Sequence, residues 1–71
     1  DAIAEFMLNA LRLTGGFPAA LFTERTGLAL DAVEANLRHA ERKNFIARNA
    51  TDIRPTEQGR RFLNNLIELF I

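Results

Sequence analysis

The chain has 71 residues, 48% of them hydrophobic, and nine basic side chains balance nine acidic ones to a formal net charge of zero. This length allows one domain, residues 1–71, and the balanced charge argues against the non-specific nucleic-acid binding that a strongly basic domain favours. The absence of cysteine excludes a disulfide, a thiolate zinc site and a cysteine-ligated cluster, and no apolar stretch reaches the roughly 20 residues of a membrane span.

Two helices are predicted in the first 27 residues. Over Ile3–Leu13, apolar residues recur at three- and four-residue steps, which places them on one stripe of an α-helix. The diglycine Gly15-Gly16 ends this helix. Pro18 suits the first turn of a second, short helix, and Gly27 suits its left-handed end.

A third helix is predicted to begin after Leu30 and to run to about Lys43. Asp31 is expected to cap its start, with Glu34 three residues later in capping-box spacing. Its inward face is predicted to hold Val33, Leu37 and Ala40. The short link after the second helix, which contains Gly27, is typical of a helix-turn-helix.

The second half of the chain predicts a hairpin and a closing helix. Two short strands, Phe45–Arg48 and Ile53–Pro55, flank a polar turn at residues 49–52. Pro55 ends the ladder, and Thr56 can cap a fourth helix that runs to the end of the chain. The predicted fold is therefore mostly α with a small β-hairpin, and winged-helix-like: a helix, a helix-turn-helix, a two-stranded wing and a C-terminal helix.

The sequence indicates no catalytic, cofactor-binding or metal-binding residue within the chain. His39 is the only histidine, and it has neither a cysteine partner nor a carboxylate pair at ligand spacing, so we expect a solvated helix residue rather than a metal or haem ligand. The spacing of Met7 places it in the core. Serine is absent, and no nucleophile has an arranged base.

Basic residues concentrate between Arg38 and Arg61, which leaves DNA binding as an alternative function. In a DNA-binding winged helix the third helix enters the major groove and the wing contacts the backbone. The candidate contacts of such a transcription regulator domain are Asn36, Arg38, Arg42, Lys43 and Arg48. Acidic residues on the same helix and the zero net charge count against it. Of the base-reading positions near the helix start, which are Ala32, Ala35 and Asn36, only Asn36 can read a base edge.

The last helix carries more apolar side chains than one narrow stripe needs. They are Phe62, Leu63, Leu66, Ile67, Leu69, Phe70 and Ile71. Because a wide apolar surface on a small domain is typical of an interface, we expect Leu69, Phe70 and Ile71 to be exposed in the isolated domain and to form an interdomain contact. A broad core-facing stripe with a frayed end remains the alternative.

Four segments together resemble a known family. They are EFMLNALRL at 5–13, RTGL at 25–28, RPTEQGRRFLN at 54–64 and ELF at 68–70. In this order and spacing they resemble the C-terminal domain of the oxygen-independent coproporphyrinogen-III oxidase family, with the branch of radical SAM haem chaperones favoured over the coproporphyrinogen dehydrogenases. Asn44 stands where the family often has glycine, and asparagine also tolerates the left-handed conformation.

The resemblance implies a longer protein engaged in porphyrin or haem metabolism. Its radical SAM barrel would bind a 4Fe-4S cluster and S-adenosylmethionine, with haem as a further candidate ligand, and it would be an oxidoreductase-like enzyme or a haem chaperone. None of those ligand residues can be placed on this chain, whose first residue, Asp1, also suggests a piece of a longer product. We expect a cytoplasmic, non-catalytic accessory domain that braces or covers the barrel of the same chain through its first and last helices.

Overall fold

The computed structural model describes residues 1–13 and 15–71. Along the chain the elements are α1 (Ala2–Ala10), β1 (Phe17–Pro18), α2 (Ala19–Thr26), a 3-10 helix (Leu30–Val33), α3 (Glu34–Arg42), β2 (Ile46–Arg48), β3 (Asp52–Pro55), α4 (Glu57–Arg61) and α5 (Leu63–Glu68). The fold is mostly helical with a small antiparallel sheet, which confirms the predicted class. Across these two ranges, no helix is long and apolar enough to cross a membrane.

The hairpin of β2 and β3 forms as predicted. Its strands pair antiparallel, with Arg48 opposite Ile53. The turn between them is held by Asn49, whose side-chain oxygen accepts hydrogen bonds from the backbone N–H groups of Thr51 and Asp52 at 2.9 and 2.8 Å. This is the local bonding that makes asparagine a frequent turn residue.

The sheet has a third strand, β1, which the sequence pattern does not predict. The strand order is β1-β3-β2, and Phe17 of β1 lies opposite Ile53. Two residues are too few to show an alternating pattern, and a proline argued for a helix start instead. Pro18 in fact precedes α2 as its N-cap residue, with extended backbone angles of φ −65° and ψ 136°.

The ends of the first two helices follow local chemistry. Asp1 caps α1 by accepting a hydrogen bond from the Ala4 N–H at 2.9 Å. The helix ends at Ala10, one turn before the predicted limit, and α2 ends as predicted at Gly27, whose φ of 76° is left-handed.

The predicted start of the third helix is wrong. Residues 30–33 form a 3-10 turn, so α3 begins at Glu34, and within the described chain no side chain caps that start. Asp31 is exposed, and Glu34 pairs with arginine instead of completing a capping box. The predicted inward face is confirmed, because Val33, Leu37 and Ala40 are buried.

The predicted closing helix is interrupted. Phe62 lies between α4 and α5 with φ −110° and ψ 45°, and its carbonyl accepts the first bond of α5 from Leu66. Neither glycine nor proline marks position 62, so the apolar spacing predicted a continuous helix. The ring of Phe62 stacks on that of Phe45, with centroids 6.3 Å apart.

Both the helices and the strands contribute buried side chains to the hydrophobic core. Its buried side chains are Met7, Ala10, Leu11, Phe17, Phe22, Val33, Leu37, Ala40, Ile46, Ile53, Leu66, Ile67 and Phe70. Met7 is fully buried, as its spacing predicts. Phe70 is 5% exposed, so the expectation that it is solvent-exposed in the isolated domain is wrong. Its ring completes the core from the end of the chain.

The first turn of α4 holds the end of α3. The Thr56 hydroxyl accepts a hydrogen bond from the Gly59 N–H at 3.0 Å and donates one to the Asn44 carbonyl at 2.6 Å. The Gln58 amide donates to the Lys43 carbonyl at 3.0 Å. Asn44 has a φ of 61°, the left-handed conformation that asparagine tolerates. These bonds satisfy carbonyl groups that a helix end would otherwise leave unpaired.

Gly59 is required by a close backbone approach. A Cβ atom at this position would overlap the backbone carbonyl oxygen of Phe45, and a carbonyl cannot swing aside as a side chain can. The threonine and glycine of the TEQG segment, Thr56–Gly59, are therefore explained by packing between α4 and the start of β2.

Candidate functional site: the charged network and the exposed apolar surface

A charged network joins α3 to β2. The guanidinium of Arg48 donates two hydrogen bonds to Glu34, at 2.6 and 3.1 Å, and its Nε lies 3.1 Å from a carboxylate oxygen of Glu41. Arg38 lies 3.1 Å from the same Glu34 carboxylate. A bidentate arginine–carboxylate pair fixes geometry as well as charge, so this network holds β2 against α3.

The network stabilises the ionised form of each central group. Hydrogen bonding from Arg48 is the main cause that lowers the pKa of Glu34 from 4.5 to about 2. Burial opposes this as the next largest effect, and hydrogen bonding from Arg38 lowers the pKa by a smaller amount. The hydrogen bonds with Glu34, and then those with Glu41, raise the pKa of Arg48 above its usual range. The pair therefore stays charged down to strongly acidic pH.

The structure does not assemble the predicted DNA-contact residues into one free surface. The Asn36 amide donates a hydrogen bond to the Leu69 carbonyl at 2.7 Å, and Arg48 and Arg38 are bound to Glu34. Arg42 is exposed in the last turn of α3, and Lys43 is exposed directly after it. The amide that could read a base thus ties α3 to the end of the chain, a role that a single sequence does not reveal.

The three predicted interface residues at the C-terminus have different environments. Leu69 is half-buried against the core, Phe70 is buried, and Ile71 is 81% exposed. Of the three, Ile71 alone offers a large exposed apolar surface. Because Phe70 is buried inside the domain, its ring has little surface to offer another domain. The assignment of these three residues to an interdomain contact stays a prediction.

Exposed apolar side chains lie elsewhere, near the start of the chain. Leu8 is 42% exposed, and Leu13, just beyond α1, is 54% exposed. Neither stands out in the sequence, since a single exposed leucine is ordinary on a protein surface. Leu13 is of interest because it lines an open groove.

That groove, the α1–α2 groove, runs between the first two helices and has a volume of about 520 Å³. Its apolar lining comes from Phe6, Ala10, Leu13 and Leu21, and the charged residues Glu5 and Arg25 also line it. The ring of Phe6 is fixed edge-on against the rings of Phe17 and Phe22, at centroid distances of 5.1 and 5.5 Å. The wall is therefore preformed, and the groove can accept an apolar side chain flanked by polar groups.

The described residues contain no group of three or more histidine, cysteine, aspartate or glutamate side chains that could hold a metal ion. His39 is exposed on α3, as expected for a solvated residue. A 4Fe-4S cluster needs thiolate ligands, and the 71-residue sequence has no cysteine to supply them.

These features define a small helical domain with a three-stranded sheet, ion pairs that join α3 to β2, and an open apolar groove. Residues 1–62 match the family model described as the HemN C-terminal domain. The chain belongs to this family, which confirms the resemblance seen in the sequence.

Curated relatives match the chain from end to end. The protein named heme chaperone HemW from Haemophilus influenzae is 40% identical over 71 residues, which are 100% of this chain and 18% of that protein. The heme chaperone HemW from Escherichia coli is 36% identical over 71 residues, again 100% of this chain and 19% of that protein. The chain thus spans about a fifth of the length of these relatives. No solved structure matches it significantly.

Proposed function

We propose that the chain is a non-catalytic, winged-helix-like C-terminal accessory domain of a longer radical SAM protein, and that it braces the catalytic barrel of that protein. The observation that carries the proposal is the family match over residues 1–62 together with relatives, named heme chaperones, of which the chain covers about a fifth. In this proposal the longer protein acts on haem or porphyrin, and the remaining four-fifths or so hold the chemistry.

The internal bonding of the domain supports a bracing role. Arg48 fixes β2 to α3 through Glu34 and Glu41, and Thr56 and Gln58 fix α4 to the end of α3. A domain that supports a neighbouring domain has to be rigid. Hydrogen bonds and ion pairs between its helices and strands provide this rigidity. The side chains in these bonds serve the domain itself, which favours a structural role over ligand recognition.

The cofactors of the proposed protein belong to its remainder. The chemistry that a 4Fe-4S cluster would supply is electron transfer to S-adenosylmethionine. The thiolate ligands of such a cluster have to come from outside these 71 residues, which contain no cysteine. What this chain contributes is a folded body beside the barrel, and we assign it no step of the reaction.

DNA recognition remains the alternative function. It would depend on Arg42 and Lys43 at the end of α3, because Asn36, Arg38 and Arg48 are bound within the domain. Such binding would be weak, since two phosphate contacts release few counterions and so contribute little to the free energy of binding.

Truncation of the full-length protein tests the accessory role. We compare the intact protein with a version that ends just before Asp1, measuring iron and sulfide content, S-adenosylmethionine binding, haem binding and the melting temperature. The truncated protein should keep its cluster and bind S-adenosylmethionine, and its barrel should melt at a lower temperature because its brace is gone.

Two results would contradict the proposal. If the cluster cannot be assembled in a truncated protein that is still folded, the domain contributes to the cofactor site. If the melting temperature of the barrel is unchanged, the domain braces nothing.

A further inference from the structure

We infer that the α1–α2 groove is the surface by which this domain docks, and that its occupant is an apolar segment of the same polypeptide from the part preceding Asp1. The inference rests on the proposed function, in which that part exists and is folded. This inference places the docking surface at the groove, on a different face of the domain from the C-terminal residues Leu69, Phe70 and Ile71.

The groove has the shape and lining of a preformed receptor for side chains. Its volume of about 520 Å³ lies within the roughly 300–1,000 Å³ of ordinary ligand pockets. The ring of Phe6 packs edge-on against two aromatic rings, and these contacts favour its position at the groove. Leu13 is 54% exposed at the groove, so its side chain gains burial when an apolar group enters.

The position of the groove selects an occupant from the same chain. Ala2 and Glu5, both in the first two turns of α1, line it. Asp1 caps this helix, so a chain that precedes it joins the domain at the end of α1 that lines the groove. A segment joined at Asp1 is held close to the groove, at an effective concentration of about the millimolar range for a short linker, so a modest apolar contact suffices to fill it.

The charged side chains that line the groove indicate the chemistry of its occupant. Glu5 and Arg25 place one negative and one positive charge beside the apolar walls. They suit an apolar segment flanked by polar or oppositely charged residues rather than a strongly acidic or basic one. In the C-terminal region Phe70 is buried, and the large exposed apolar side chains are Phe62 and Ile71, for which no groove is found among the described residues.

Cysteine labelling of the full-length protein tests this inference. Leu13→Cys, Leu8→Cys and Ile71→Cys are made one at a time, and alkylation by iodoacetamide is followed for each peptide by mass spectrometry, relative to the denatured protein. All three leucine or isoleucine side chains are exposed in the domain, so each variant should fold, and melting curves verify it. The domain has no other cysteine. Position 13 should react about tenfold more slowly than position 8.

Each outcome separates the inference from the proposed function. Slow labelling at position 13 that persists on dilution supports the inference, whether or not position 71 is also slow. Slow labelling at position 71 or 8 with fast labelling at 13 overturns the inference and leaves the docked domain in place. Fast labelling at all three positions overturns the inference, and the truncation experiment then decides the proposed function separately. Slow labelling at 13 that disappears on dilution means that a second copy fills the groove, and overturns the choice of occupant.

Discussion

The burial of Phe70 gives a sharp prediction, because its neighbour Ile71 is a matched control. Phe70 is 5% exposed, and Ile71 is 81% exposed. A buried phenylalanine covers about 150–250 Å², which at about 25 cal/mol per Å² corresponds to roughly 4–6 kcal/mol of transfer free energy. Part of this is kept by alanine, and Phe→Ala substitutions in cores cost about 3–5 kcal/mol. We therefore expect Phe70→Ala to lower the free energy of unfolding by that amount.

The loss is large on the scale of the whole domain. At roughly 0.05–0.15 kcal/mol per residue, a domain of this size has about 4–11 kcal/mol of stability in total. Urea unfolding followed by circular dichroism measures the change, with Ile71→Ala expected within about 0.5 kcal/mol of the parent. Leu66→Ala, at a fully buried site of α5, should cost about 2–5 kcal/mol. Equal, small effects at positions 70 and 71 would show that the end of the chain is not part of the core.

Three further predictions follow from local contacts. Gly59→Ala should cost about 2 kcal/mol or more because its Cβ would strike a backbone carbonyl, whereas Gly15→Ala, with open space around it, should cost far less in the same unfolding assay. Asp31→Ala should leave the melting temperature nearly unchanged, since Asp31 caps neither helix beside it; a loss of about 1 kcal/mol would restore it as a cap. The pairing of Glu34 with Arg48 stabilises the fold fully above pH 4.5, and this stabilisation is lost as the pH falls through about 2. When the urea midpoint of unfolding is measured against pH, Glu34→Gln should therefore show a smaller decrease on the acid side. An unchanged pH profile would refute this prediction.

The fold could be predicted wherever residue spacing or one special residue sets the structure. The stripe of α1, the inward face of α3 and the left-handed Gly27 all follow from rules that act within a few residues. The hairpin follows because Asn49 and its neighbours bond to their own turn.

The rest of the fold depends on contacts that are distant in sequence. Glu34 is drawn away from a capping role by Arg48, 14 residues later, and Asn36 bonds a carbonyl 33 residues away. β1 exists because β3 pairs with it, since two residues have too little pattern of their own.

The apolar surface shows the same limit. The composition of the last helix indicated an interface, but the count of apolar residues cannot say which of them face the core. Phe70 turns inward, and the groove forms from α1 and α2 together. A groove between two helices arises from the way the helices pack, so no single segment of the sequence predicts it.

The central claim, that this domain docks as a brace on the rest of a longer protein, is tested most directly by amide hydrogen exchange. Exchange is compared between the full-length protein and residues 1–71 alone, after circular dichroism has shown that the fragment is folded. The account predicts slower exchange in α1 and α2 of the full-length protein, with the β2–β3 hairpin unchanged. Identical exchange in every element of the two proteins would contradict it.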